Sequence, residues 1–142
     1  MRFEIWTAWP ERNKLRVPCR EGAEMTQSPQ ELSSVESKNM DRPDETHSPD
    51  KLVADVVHLG SVTVKRLRAE PGFRWSECVK PLSGGVSCQS AHLGYVVSGT
   101  LHIASDDGAE VDLVPGDAYR VDPGHDAWVV SGEPFVAVEF EG

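Results

Sequence analysis

The chain has 142 residues, 39% of them hydrophobic, and a formal net charge of −9 at pH 7. This length and composition fit one globular domain preceded by a polar extension. Because an acidic chain offers no basic face for a phosphate backbone, nucleic acid is not expected as a partner.

The cysteines and the short apolar runs indicate in which cellular compartment the protein is expected. The three cysteines, Cys19, Cys78 and Cys88, are odd in number and show no CxxC spacing, in a chain too large to need disulfides. No run has the apolar length of a signal peptide or of a membrane span. We therefore expect a cytoplasmic protein with no membrane partner.

Residues 1–51 are predicted to be a mostly disordered N-terminal extension. Residues 1–20 fit neither a helical nor an alternating pattern, and 21–51 are polar and interrupted by prolines, so they bury too little surface to offset the entropy of ordering. A capping pattern at residues 28–31 allows a short helix over about 29–37. Met40 is an alternative initiator to Met1.

Residues 52–142 are predicted to form an all-β domain. Short β-branched and aromatic runs alternate with Gly-, Pro- and Asp-rich turns at the spacing of antiparallel strands, with no helix expected between them. The predicted strands cover residues 52–59, 61–69, 73–79, 95–97, 101–103, 111–114, 119–121, 127–130 and 135–140.

Three segments carry a resemblance to a known family. Gly99 follows the run Tyr95-Val96-Val97, and the turns Pro115-Gly116-Asp117 and Pro123-Gly124-His125 come later. This arrangement over about residues 52–140 resembles the two-motif core of the cupin superfamily, in particular its small bacterial cupin-domain proteins. The resemblance implies a jelly-roll β-barrel and favours a homodimer.

The resemblance also implies a metal site, but this chain departs from the family's ligand pattern. The positions of the family's paired histidines are Val86 and Cys88, the glutamate position is His92, and the later histidine position is Ala127. His125 lies two residues before Ala127, which places both on one face of a strand.

Cys88, His92 and His125 are therefore the candidate metal ligands. Thiolate and imidazole suit zinc and are acceptable to iron, and three protein ligands leave a position open for water or substrate. The ordinary alternative is a small buried cysteine and two hydrogen-bonded or solvated histidines. His47, His58 and His102 are predicted to have no functional role.

The wall of the ligand pocket is assigned to Trp75, Cys78, Tyr95 and Trp128. If residues 73–79 form a strand, Cys78 shares a face with Ser76 and lies opposite Trp75. Core packing is the alternative role for each aromatic residue.

Two functions remain open at this point. In the first, favoured by the departures at Val86 and Ala127, the barrel binds a small organic ligand, with or without a Cys/His metal site. In the second, a zinc or iron ion assists an enzyme of the dioxygenase, isomerase or lyase type that acts on a small organic acid or a sugar-like substrate. Whether the chain is an enzyme is left undecided, because the fold hosts many functions.

Overall fold

The computed structural model describes residues 34–142, which form nine β-strands and two short α-helices. The strands are β1 (Glu45–His47), β2 (Leu52–Leu59), β3 (Val62–Ala69), β4 (His92–Ser98), β5 (Leu101–Ser105), β6 (Glu110–Leu113), β7 (Ala118–Val121), β8 (His125–Val129) and β9 (Phe135–Glu141). The helices are α1 (Trp75–Cys78) and α2 (Lys80–Ser83). The predicted all-β class is confirmed.

The strands form two antiparallel sheets that pack face to face. The large sheet has six strands in the order β1-β2-β3-β9-β4-β7, and the small sheet has three in the order β6-β5-β8. Alternation along the strands sends one set of side chains between the sheets. Val96 and Ala137 from the large sheet are fully buried there, against Ile103 and Val129 from the small sheet.

The sequence predicted that the folded domain starts at Leu52. In the structure, strand pairing starts earlier, at β1. β1 pairs with β2, with Glu45 opposite Val56. The Arg66 guanidinium on β3 donates hydrogen bonds to the carbonyl of Met40 and to the carboxylate of Asp41. These polar contacts hold a segment that hydrophobicity alone assigned to the extension. Residues 1–33, most of the predicted extension, lie outside the described residues, and residues 34–37 form no helix.

The strand predicted at residues 73–79 is wrong, because this segment forms α1 and leads into α2. Trp75 and Cys78, three positions apart, are both buried, which is helical rather than alternating spacing. The Asp126 carboxylate on β8 accepts the Ser76 backbone N–H at 3.1 Å and pairs with Arg74 at 3.2 Å. A carboxylate that accepts from the free N–H groups of a first turn stabilises the start of a helix. Pro81 lies in the first turn of α2, where its missing N–H is not needed, whereas a central strand would lose a hydrogen bond.

Candidate metal centre

Backbone hydrogen bonds fix Cys88 beside His125. The Cys88 N–H donates to the His125 carbonyl at 2.8 Å, and the Gly124 N–H donates to the Cys88 carbonyl at 2.7 Å. His92 opens β4 of the large sheet, whereas His125 opens β8 of the small sheet. The three predicted ligands therefore come from both sheets and meet at one end of the space between them.

The three side chains converge on one point. Cys88 Sγ lies 3.6 Å from His92 Nε2, and the two imidazole rings meet edge to face with centroids 5.1 Å apart. One donor atom from each residue lies within 4.8 Å of the others, and the described residues contain no second group of this kind. His125 is only 3% exposed and Cys88 is 7% exposed. The structure thus brings together the three residues predicted as metal ligands.

A buried carboxylate orients His92. Its Nδ1 lies 2.9 Å from Glu139 Oε2, and because a carboxylate only accepts, Nδ1 carries a proton and Nε2, which faces Cys88, is the nitrogen available to a metal. Glu139 is 7% exposed, and its other oxygen accepts the Tyr119 hydroxyl at 2.8 Å. Tyr119 can approach because Gly94, beside it, has no side chain: a Cβ there would lie 2.8 Å from the hydroxyl oxygen.

A backbone carbonyl orients His125. Its Nδ1 donates to the Asp122 carbonyl at 2.8 Å, so Nε2 is again the free nitrogen. Partners of this type, a carboxylate for one imidazole and a carbonyl for the other, are typical of metal-binding histidines, because they fix the tautomer and the ring orientation.

Without a metal, the same contacts create a thiolate and an imidazolium. Burial alone would raise the pKa of Cys88, but hydrogen bonds from His125 and His92 outweigh it and lower that pKa to about 6. Burial alone would lower the pKa of His92, but the hydrogen bonds to Cys88 and Glu139 raise it to about 9. The pKa of His125 is raised, against its burial, mainly by the hydrogen bond to Cys88. Burial and the Glu139 carboxylate raise the pKa of Tyr119, so it stays a neutral hydrogen-bond donor.

The donor set fits a divalent metal in chemistry, and the separation of Cys88 from His92 fits a tetrahedral site. In a tetrahedral zinc site, bonds of about 2.3 Å to sulfur and about 2.0–2.1 Å to nitrogen place these two atoms roughly 3.5 Å apart. The observed Sγ to Nε2 separation is 3.6 Å. One thiolate and two neutral imidazoles are ligands that zinc accepts, and iron accepts the imidazoles well.

The three residues lie on the wall of a cavity of about 830 Å³ between the sheets. This volume is within the range of about 300–1,000 Å³ that is usual for small-molecule sites. Ala127, which occupies the position of a family histidine, also lines the cavity, on the same face of β8 as His125. Val86 is exposed and lies outside the cavity.

Of the four residues assigned to the pocket wall, the structure places only Trp75 on the cavity. Cys78 is buried in the core on α1, on the same side of the helix as Trp75, because the segment is helical. Tyr95 is 49% exposed on the outer face of β4. Trp128 lies on the outer face of β8, under the Arg74 guanidinium and against His102. His92 and Tyr95, like His125 and Trp128, are three residues apart, so an inward histidine requires an outward aromatic.

Sequence reasoning missed Glu139 and Tyr119. In β9 the buried residues Phe135, Ala137 and Glu139 alternate with more exposed ones, so the glutamate shares the face of two core residues. That alternation is visible in the sequence and could have marked Glu139 as an inward carboxylate. His47 and His58, predicted to have no role, line the outer part of the cavity with Glu45, which His58 contacts at 2.9 Å.

Comparisons with known proteins test the fold. No protein-family model matches the sequence, and no curated protein matches it. Ectoine synthase from P. lautus is similar with a TM-score of 0.58 at 11% identity, over 75% of this chain and 76% of that one. A cupin of the RmlC-like type from Shewanella frigidimarina gives a TM-score of 0.52 at 16% identity, over 78% of this chain and 92% of that one.

Oxalate decarboxylase from Lactobacillus farciminis, in complex with formate, gives a TM-score of 0.50 at 14% identity. The match covers 68% of this chain and 30% of the decarboxylase, so this chain spans less than a third of that protein. Within residues 34–142, no helix has the length and apolar character needed to cross a membrane. The paired antiparallel sheets and these structural matches together show that the chain has the fold of the cupin superfamily.

Proposed function

We propose that this protein holds a divalent metal ion, zinc or ferrous iron, through Cys88 Sγ, His92 Nε2 and His125 Nε2. The metal and the cavity beside it then bind a small organic ligand. One observation carries the proposal: three donor atoms of metal-binding type lie within 4.8 Å of one another while each Nδ1 is already held by another group. That arrangement leaves the Nε2 atom of each histidine available to a metal.

The chain's own groups have distinct roles in this proposal. Glu139 holds the His92 tautomer and makes its Nε2 a better donor, and Tyr119 keeps Glu139 in place. The thiolate supplies one negative charge against the two positive charges of the ion. With three protein ligands, a bound metal keeps a position open and supplies Lewis-acid chemistry to a ligand oxygen.

Elemental analysis tests the proposal directly. Full-length protein purified without chelator should contain close to one zinc or iron per chain, and Cys88→Ala, His92→Ala and His125→Ala should each lose most of it. His102→Ala is the matched control, because His102 lies outside the cavity and packs on Trp128. Wild-type protein that stays metal-free after incubation with zinc and with ferrous iron would contradict the proposal.

A second function is favoured by a different feature of the same residues. Cys88 Sγ, His92 and Glu139 form a chain with separations of 3.6 and 2.9 Å, which is the order of nucleophile, base and orienting carboxylate found in thiol enzymes. Here the metal-free thiolate adds to a carbonyl carbon of the ligand, the C=O π bond opens onto the oxygen, and the His92 imidazolium gives that oxygen its proton. Metal content separates the two functions, because a bound zinc ion occupies the thiolate and protects Cys88 from alkylation by iodoacetamide.

A further inference from the structure

The wall that the large sheet gives to the cavity changes from polar to apolar along the strands. Strand register places Lys65 beside Glu139, and Glu139 beside Gly94, which in turn lies beside Tyr119. We call the inward polar residues at this level the polar band: Thr63, Lys65, His92, Tyr119, Glu139 and Glu141.

The residues further along the same strands are apolar. Ala54 pairs with Leu67, and one step further Leu52 pairs with Ala69, which pairs with Phe135. All five line the cavity. We call this set the apolar floor: Leu52, Ala54, Leu67, Ala69 and Phe135. The proposed metal ligand His92 pairs with Val121 at the outer level of the polar band, and Glu139 lies between that level and the apolar floor.

The small sheet repeats the same change. His125 lies at the level of the polar band, and the next inward residue of β8 is Ala127, which pairs with Ile103. Leu101 and Leu113 pair with each other beyond them and also line the cavity. Both walls thus carry polar groups at the level of the proposed metal and apolar groups beyond it.

The charges of the cavity restrict the ligand further. Lys65 is the one lysine among the described cavity residues, which include no arginine, and its ammonium lies 2.6 Å from Glu141. A phosphorylated or polyhydroxylated ligand needs cations and several polar partners, because unpaired polar groups in an apolar site cost free energy. Lys65 is already paired with Glu141 and the floor offers no polar side chain, so the floor fits hydrocarbon and neither of these ligand classes.

From this arrangement we infer that the ligand is amphipathic, with one metal-binding oxygen head group and an apolar tail of several carbon atoms that lies on the apolar floor. The inference rests on the proposed metal site and adds the ligand class to it. The head group would bind a metal held by Cys88, His92 and His125, and the tail would gain the transfer free energy of leaving water.

A series of straight-chain hydroxamates tests the inference on full-length, zinc-loaded protein. Dissociation constants for acetohydroxamate, butyrohydroxamate, hexanohydroxamate and octanohydroxamate are measured by calorimetry. We expect the Kd to fall about fourfold for each added methylene. Glucose 6-phosphate is the polar comparison and should bind more weakly than octanohydroxamate. A Kd independent of chain length, or tighter binding of glucose 6-phosphate, would overturn the inference.

Variants of the floor localise the tail. Ala54→Leu fills the floor and should weaken octanohydroxamate by at least about tenfold while acetohydroxamate is unchanged. Leu67→Gln, which introduces a polar group instead of bulk, should weaken the long probe in the same selective way. Val53→Leu is the control, because Val53 lies on the outer face of the same strand. Equal losses for both probes in the two floor variants would contradict a tail at this position.

Zinc analysis of every sample before and after titration separates this inference from the proposed function. If the wild-type protein holds no metal, the proposed function fails by itself. The metal-free protein is then titrated with butanol, hexanol and octanol, which carry alkyl tails of similar length without the hydroxamate head. A gain of about fourfold per methylene still supports the apolar ligand class, and a flat series overturns it.

Discussion

Replacing Glu139 by glutamine tests whether the buried carboxylate prepares His92 for a metal. In the native chain one carboxylate oxygen accepts from His92 Nδ1 at 2.9 Å and the other accepts from the Tyr119 hydroxyl at 2.8 Å. Glutamine keeps the shape but has one oxygen and one NH₂ group. It can therefore accept from only one of these two donors, and it removes the negative charge that makes Nε2 more basic.

Loss of such an orienting partner weakens metal binding by about 10- to 100-fold, equivalent to roughly 1.4–2.8 kcal/mol. We expect Glu139→Gln to lower zinc affinity by this factor, measured by competition with a chromophoric chelator at fixed pH. Tyr119→Phe keeps the carboxylate on His92 and should cause a smaller loss.

Glu141→Gln is the matched control for this measurement. Glu141 lies on the same strand and the same face as Glu139, but it is exposed and pairs with Lys65. Thermal unfolding of the metal-free variants separates a folding defect from a binding defect. The reasoning is refuted if Glu139→Gln binds zinc as tightly as wild type while His92→Ala loses it.

Three further predictions follow from the charges and the surface. In metal-free protein, the alkylation rate of Cys88 should rise with pH through about 6 instead of about 9, because its hydrogen bonds outweigh burial and favour the thiolate; a peptide-mapped midpoint above 8 would contradict this. Zinc affinity should increase by at least about tenfold per pH unit between about 6 and 9, because the metal must displace the proton that a raised pKa holds on His92; a flat profile would contradict this. The homodimer expected from the family resemblance should involve the outer face of β4, where Leu93, Tyr95 and Val97 are 57%, 49% and 52% exposed. Light scattering should give twice the chain mass at micromolar concentration and a single-chain mass for Leu93→Lys, and a single-chain mass for wild type would contradict the prediction.

Local patterns predicted most of the strands and the three residues of the proposed site. Cys88, His92 and His125 were found because they stand near or at the ligand positions of a family motif. The sequence also predicted that His125 and Ala127 share one face of a strand, and both lie on the inward face of β8. The same rule would have excluded Tyr95 and Trp128 from the cavity once the histidines were taken to face inward.

Other parts of the site depend on contacts between distant segments. The glutamate that holds His92 is 47 residues away in the sequence, and Tyr119 is 20 residues from that glutamate. Alternation shows that Glu139 faces inward, but only the register of β4, β7 and β9 shows which side chains it meets. The helix α1 also depends on a distant segment, because the carboxylate that supports its first turn is Asp126 on β8 of the small sheet.

The position of the proposed metal centre follows from the way the two sheets are joined at this end. Cys88 exchanges backbone hydrogen bonds with Gly124 and His125, so the segment before β4 of the large sheet is tied to the start of β8 in the small sheet. The thiol therefore lies between one histidine from each sheet, and the separation of the donor atoms depends on how the sheets pack. Because packed sheets are close to incompressible, the Nε2 atoms are held near a common point before any ion arrives. The same packing places the apolar floor further along the strands, so one arrangement of two sheets supplies both the side chains of the proposed metal site and an apolar surface in the same cavity.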